Sequence, residues 1–132
     1  MRINLKMKKK IMVDTWAWLE ILKGTGNGKK AKETITGNSL CTTTGNTYEL
    51  RYLLSKEYGE KAEKIINGII GNCTVIDVTD EISRKASEIK LMKGYGIGAV
   101  DCFTLAAGEI LNARVLTGDP HMKDMKNVIY IG

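Results

Sequence analysis

Four acidic residues stand in apolar surroundings at widely separated positions of this 132-residue sequence: Asp14, Glu49, Asp101 and Asp119. Asp14 directly follows the apolar run Ile11–Val13, and Asp119 follows Val115–Gly118. A carboxylate beside an apolar core is costly unless a partner neutralises its charge. One bound divalent cation would neutralise all four acids together. The pattern therefore predicts a metal centre.

The predicted elements bring the four acids to one edge of a sheet. Asp14 and Asp119 each end a predicted strand, and ligands of open parallel sheets bind beyond the carboxyl ends of the strands. Glu49 and Asp101 each fall in the first turn of a predicted helix. Ligands that are all oxygen favour Mg²⁺ or Mn²⁺ over zinc. Such ions activate water and stabilise charge on a phosphoryl group, so the pattern indicates phosphodiester hydrolysis.

Each acid also has a purely structural interpretation. Asp14 and Asp119 can each cap a following helix, and the spacing of Asn46 and Glu49 matches a capping box. Asp101 in a first helical turn favours the helix dipole. These interpretations explain the acids one at a time, but they do not explain why all four gather at one sheet edge.

Composition excludes several other classes of protein. A single histidine, His121, rules out a zinc site of the H-E-x-x-H type. Three cysteines without a C-x-x-C pair disfavour disulfides and a zinc knuckle, and they fit a reducing cytoplasm. The sequence has no apolar run of the roughly 18 residues that a membrane span needs. A net charge of +5 suits a polyanionic partner or simply a soluble surface.

Hydrophobic periodicity predicts strands that alternate with helices. The predicted strands are Ile11–Asp14, Leu40–Thr44, Cys73–Val78, Arg114–Thr117 and Val128–Ile131. The predicted helices are Thr15–Lys23, Asn46–Tyr58, Glu60–Asn72, Thr79–Lys93 and Ala99–Asn112. The polar segment Lys29–Ser39 is a weaker candidate for a short exposed helix. This alternation predicts one α/β domain over residues 11–132, with a central parallel sheet and helices on both faces. Residues 1–10 are expected to be a basic tail, open to disorder.

Four short motifs, taken in order, resemble those of the PIN-domain ribonucleases, and most closely the VapC toxins of VapBC toxin–antitoxin pairs. The motifs are Val13–Thr15, Tyr48–Leu50, Val100–Cys102 and Leu116–Asp119. The resemblance implies that Mg²⁺ or Mn²⁺ is bound by the catalytic acids, Asp14, Glu49, Asp101 and Asp119, and that Thr117 helps to position the site. It also implies an RNA substrate, a cognate antitoxin and a homodimer. The polar pair Asn46–Thr47 and the Lys29–Ser39 segment depart from the family pattern.

Other functions fit the sequence less well. A haloacid-dehalogenase phosphatase needs a second aspartate two residues after Asp14, where this chain has Trp16. A receiver domain needs paired acids near the first strand, and these are missing. The remaining alternative is a PIN fold that binds RNA or protein without catalysis. Trp16 and Trp18 could stack on bases, although their opposite-facing positions predict that at least one lies in the core. His121 is expected to be solvated.

Basic residues offer a further route to nucleic acid. Three groups could follow a phosphate backbone or simply face solvent: Lys8–Lys10, Lys29–Lys32 and Lys123–Lys126.

Overall fold

A five-stranded parallel sheet organises the part of the chain that the computed structural model describes, residues 8–132. The strands are β1 (Lys10–Val13), β2 (Ser39–Thr43), β3 (Cys73–Ile76), β4 (Arg114–Thr117) and β5 (Val128–Tyr130). Their order is β3-β2-β1-β4-β5, so β1 lies at the centre. Every neighbouring pair is parallel, and the carboxyl ends of all five strands therefore meet at one edge.

Six α-helices surround the sheet within the described residues. They are α1 (Thr15–Lys23), α2 (Gly26–Ile35), α3 (Thr44–Tyr58), α4 (Ala62–Ile70), α5 (Asp80–Lys93) and α6 (Ala99–Ile110). Short 3₁₀ turns cover Gly59–Lys61, Gly94–Gly96 and Pro120–Met122. In residues 8–132 none of the helices combines the length and apolarity needed to cross a membrane.

The helices lie on both faces of the sheet, as the sequence predicts, because successive side chains of a strand point to opposite faces. Ile11 and Val13 of β1 pack in a core cluster with residues of α1, α2, α3 and α4. Met12, between them, packs with residues of α5 and α6 on the other face. Since all three side chains are essentially fully buried, the central strand is covered on both sides.

Several predicted boundaries shift by a few residues for identifiable reasons. β1 begins at Lys10, which was predicted to belong to the tail; residues 1–7 of that tail lie outside the described residues. Asp14 is not the last residue of β1 but the N-cap of α1. The part of the weakly patterned polar segment up to Ile35 belongs to α2, which already begins at Gly26 because Thr25 caps it. α4 begins at Ala62, after a 3₁₀ turn.

The predicted start of α3, Asn46, is two residues too late. Thr43 and Asn46 form a reciprocal capping box, in which each side chain binds the other residue's backbone N–H. The helix therefore begins at Thr44, and Glu49 lies in its second turn and takes no part in the cap. In this box Thr43 is the N-cap and Asn46 is the third residue of the helix.

Candidate active site

Asp14 lies between the central strand and α1 and is only 2% exposed. Its Oδ1 atom accepts a hydrogen bond from the backbone N–H of Ala17 at 2.8 Å, which caps α1. Burial raises the pKa of Asp14 from 3.8 to about 7, although hydrogen bonds from Thr117 and Ala17 lower it. The negative charges of Asp101 and Asp119 raise it further. Asp14 is thus both a helix cap and a carboxyl group that is hard to ionise.

Asp101 and Asp119 lie close to each other and to Asp14. The pKa of Asp101 is raised to about 6, first by burial and then by the charge of Asp119 and a hydrogen bond with it. Glu49 raises this pKa further, and the backbone N–H of Gly98, the N-cap of α6, lowers it. Two carboxyl groups close enough to share a hydrogen bond repel one another when both are ionised. A cation between them would relieve that repulsion.

Asp119 is held by its own loop. Its backbone N–H donates to Thr117 Oγ1 at 3.0 Å, and its Oδ1 accepts from the backbone N–H of His121 at 2.9 Å. The Nδ1 atom of the His121 ring also lies 2.9 Å from Oδ1. Asp119 therefore caps the turn Pro120–Met122, as its place before proline suggested. The side chain of His121 is 57% exposed, as expected for a solvated histidine, but its ring contact with Asp119 was not foreseen. Its position two residues after a capping aspartate was the available signal.

Glu49 reaches the site from α3. Its Oε1 atom accepts a hydrogen bond of 2.6 Å from the hydroxyl of Thr15, the residue that follows Asp14. Its charge also contributes to the raised pKa of Asp101. All four predicted acids thus lie at the carboxyl edge of the sheet, where Thr117, fully buried at the end of β4, contacts two of them.

The donor chemistry of this site fits a hard divalent cation, because the four acids offer only carboxylate oxygens. In the described part of the chain, however, no three His, Cys, Asp or Glu side chains are grouped closely enough to hold a metal ion. Asp14, Glu49 and Asp119 each direct one oxygen to a donor of the protein. Each carboxylate has a second oxygen. Metal binding would use those second oxygens and requires the side chains to draw together.

The PIN domain family profile matches residues 11–128, nearly the whole of the chain. The chain belongs to the PIN domain family. A comparison with curated protein sequences finds no match.

Solved structures share this PIN fold at low sequence identity. VapBC2 of Rickettsia felis, bound to a DNA fragment from its promoter, superposes with a TM-score of 0.72 at 20% identity, covering 92% of this chain and 96% of that one. A toxin–antitoxin complex from Klebsiella pneumoniae gives 0.74 at 14% identity, with 92% and 98% covered. VapC20 of Mycobacterium tuberculosis, a Sarcin-Ricin loop cleaving toxin, gives 0.63 at 20% identity, with 79% and 85% covered. At these identities the likeness establishes the fold.

The two tryptophans of the PIN domain have different places. Trp18 is 1% exposed and donates from Nε1 to Thr42 Oγ1 at 3.2 Å, so it is a core residue, as predicted for at least one of the pair. Trp16 packs over Gly118, where an added Cβ would lie 2.3 Å from the ring. Glycine is therefore required between Thr117 and Asp119 to let the indole support that loop.

The basic groups are distributed unevenly about the site. Lys10 starts β1 and pairs with Ser39 at the amino edge of the sheet, which is the edge opposite the acids. The group Lys8–Lys10 therefore does not line the acidic site. Lys123 follows the turn Pro120–Met122 and lies over the ring of Tyr130, 5.2 Å from its centroid. This lysine belongs to the same side of the sheet as Asp119.

Proposed function

We propose that this PIN domain is an endoribonuclease that depends on Mg²⁺ or Mn²⁺ and acts in the cytoplasm as the toxin of a VapBC-type pair. One observation carries the proposal. The charges of Asp101 and Asp119 raise the pKa of Asp14, and the charge of Asp119 raises that of Asp101, although the three carboxyl groups come from different parts of the chain. Such crowding of buried like charges lowers stability and is found where a protein binds a cation or performs catalysis.

Each residue of the site would have its own role. Asp14, Asp101 and Asp119 would hold the ion, with Glu49 alongside. The bound ion would supply an activated water and stabilise charge on the phosphoryl group. Because the pKa values of Asp14 and Asp101 are raised to about 7 and about 6, binding the ion near neutral pH displaces protons from them. Thr117 would help to hold the loop of Asp119 beside Asp14, because its hydroxyl accepts from the backbone N–H of Asp119 and also stabilises the Asp14 carboxylate.

The structural relatives support a protein partner. Those from Rickettsia felis and Klebsiella pneumoniae are toxin–antitoxin complexes, and we propose that this chain likewise binds an antitoxin and forms a homodimer. Exposed apolar side chains suited to such interfaces occur on α3, at the end of α5 and in the turn Gly94–Gly96: Tyr48, Tyr52, Leu91, Met92 and Tyr95. The relative that cleaves the Sarcin-Ricin loop supports a structured RNA as the substrate.

A second candidate function is a non-catalytic PIN module that binds RNA or protein. It is favoured by the finding that residues 8–132 contain no group of three ligands already close enough for a metal ion. The four acids would then be helix caps and surface charges, and divalent ions would change neither stability nor the integrity of bound RNA.

The deciding experiment is RNA cleavage with Mn²⁺ or with EDTA, using a structured RNA with a Sarcin-Ricin-type loop. The variant Asp119→Asn is nearly isosteric, and we expect it to lose cleavage while its far-UV circular dichroism is unchanged. Asp77→Asn is a matched control, since Asp77 also follows a strand but is exposed. Equal cleavage by wild type and Asp119→Asn, purified in parallel, would remove Asp119 from the site. A loss of helical signal would instead assign Asp119 a capping role alone.

A further inference from the structure

Asn46 is a buried polar residue at the meeting point of three helices. It lies in the first turn of α3, is 1% exposed, and donates from Nδ2 to the hydroxyls of Thr15 in α1 and Thr104 in α6, both at 3.1 Å. Its Oδ1 accepts from the backbone N–H and the hydroxyl of Thr43, at 2.9 and 2.8 Å. Every hydrogen-bonding group of the Asn46 amide therefore has a partner.

These bonds fix the orientation of the amide. Asn46 Oδ1 faces the backbone N–H of Thr43, which can only donate. A flipped amide would place the Nδ2 donors against this N–H and leave the N–H of Thr43 without an acceptor. In a buried position that arrangement is strongly disfavoured. Asn46 consequently always presents its NH₂ group to Thr15 and Thr104.

The direction of the Asn46 bond determines the direction of the next one. A hydroxyl has a single proton and two lone pairs. Since Thr15 Oγ1 accepts from Asn46 Nδ2, its own proton is available to Glu49 Oε1, which lies 2.6 Å away. The series Asn46, Thr15, Glu49 is thus a one-way chain of hydrogen bonds that ends on a carboxylate of the site.

From this geometry we infer that Asn46 is a positioning residue that, through the Thr15 hydroxyl, sets the place of the Glu49 carboxylate relative to Asp14. Thr15 follows Asp14 directly, so the chain of bonds joins α3 to the turn that presents the buried aspartate. Outer groups that orient ligands commonly change metal affinity or activity by about 10- to 100-fold when they are removed. The inference rests on the proposed function, because it assigns a role toward the metal site.

The test compares two threonines that share the same Asn46 Nδ2 atom. Thr15→Val removes the hydroxyl that leads to Glu49, whereas Thr104→Val removes a buried hydroxyl of equal size that instead donates to the Val100 carbonyl at 2.8 Å. Asn46→Leu is nearly isosteric, and Asn46→Ala leaves room for water beside Thr43. The measurements on each full-length variant are the melting temperature in EDTA and the Mn²⁺ concentration that gives half of the metal-induced melting shift. RNA cleavage at the same Mn²⁺ concentrations is the second readout.

We expect Thr15→Val and Asn46→Leu to raise the half-maximal Mn²⁺ concentration about 10-fold or more. Thr104→Val and Thr15→Ser, which retain the hydroxyl that leads to Glu49, should stay within about twofold of wild type. The double variant of Thr15→Val and Asn46→Leu should show no further increase, since both changes break one chain of bonds. A purely structural role would lower the melting temperature in EDTA while leaving the Mn²⁺ midpoint unchanged.

Two failures can be told apart. If wild type responds to Mn²⁺ and Thr15→Val and the Asn46 variants share its midpoint, the positioning role is overturned and the proposed function stands. If wild type shows neither a Mn²⁺-induced shift nor Mn²⁺-dependent cleavage, the proposed function fails and the inference fails with it. If Asn46→Leu does not melt cooperatively and Asn46→Ala does, the measurements are made on Asn46→Ala. If neither folds, the Thr15→Val and Thr104→Val comparison decides.

Discussion

Replacing Asp14 by asparagine should make the metal-free protein more stable while removing its response to metal. The asparagine oxygen can still accept from the Ala17 N–H, which caps α1, and asparagine is as good a cap as aspartate. The substitution removes only the charge, in a position that is 2% exposed and beside Asp101 and Asp119. The Thr117 hydroxyl, which lowers the pKa of Asp14, can act as donor or acceptor and so can also pair with the new amide.

The size of the effect follows from the pKa of Asp14. A rise from 3.8 to about 7 is a shift of about three units, which corresponds to roughly 4 kcal/mol in favour of the neutral form. This is an upper limit, because water and side chains relax around the charge. We expect a gain of roughly 2–4 kcal/mol in the free energy of unfolding at pH 8. For a domain of this size, at about 4 °C per kcal/mol, the melting temperature rises by roughly 8–16 °C.

The assay is a thermal melt in EDTA at several pH values. Because the folded pKa lies above the unfolded one, wild type loses this contribution to stability as the pH rises from about 4 to about 7. The difference between Asp14→Asn and wild type should therefore grow over that range and level off above it. Asp77→Asn, at an exposed aspartate after β3, should track wild type at each pH. Destabilisation of Asp14→Asn at pH 8, or a difference independent of pH, would refute the reasoning.

Three further outcomes are expected. Mn²⁺ at about 100 times its dissociation constant should stabilise wild type by roughly 2.7 kcal/mol, read from melts with EDTA as the reference; an unchanged melting temperature would contradict metal binding. Gly96→Ala would place a Cβ 2.7 Å from the His121 ring, so the ring should move away from Asp119. Because the ring would then no longer orient the Asp119 carboxylate, the Mn²⁺ concentration needed for cleavage should rise several-fold. The melting temperature should stay similar. Sedimentation at micromolar concentration should show a dimer, and a species of only 14.6 kDa would count against it.

The elements of the fold were largely predictable because they depend on local patterns. The apolar run Ile11–Val13 is too short for a helix, and the stripe from Ala62 to Ile70 has helical spacing, so each pattern admits one kind of structure. The end of α3 at Gly59 and the start of α5 at Thr79 also follow from single residues with clear capping roles. The start of α3 could not be predicted in this way, because Thr43, Asn46 and Glu49 offer two overlapping capping boxes. The box that forms joins Thr43 and Asn46, and Asn46 also makes tertiary hydrogen bonds to Thr15 and Thr104.

The positions of Asp14, Glu49, Asp101 and Asp119 relative to strand and helix ends are enough to predict that they reach the carboxyl edge of the sheet. They do not distinguish the surroundings of the four acids. The folded structure shows that Asp14 is deeply buried and hard to ionise, that burial and the charge of Asp119 raise the pKa of Asp101, and that Glu49 accepts a hydrogen bond from Thr15. These differences arise from burial and from partners distant in sequence, and local patterns carry no information about either.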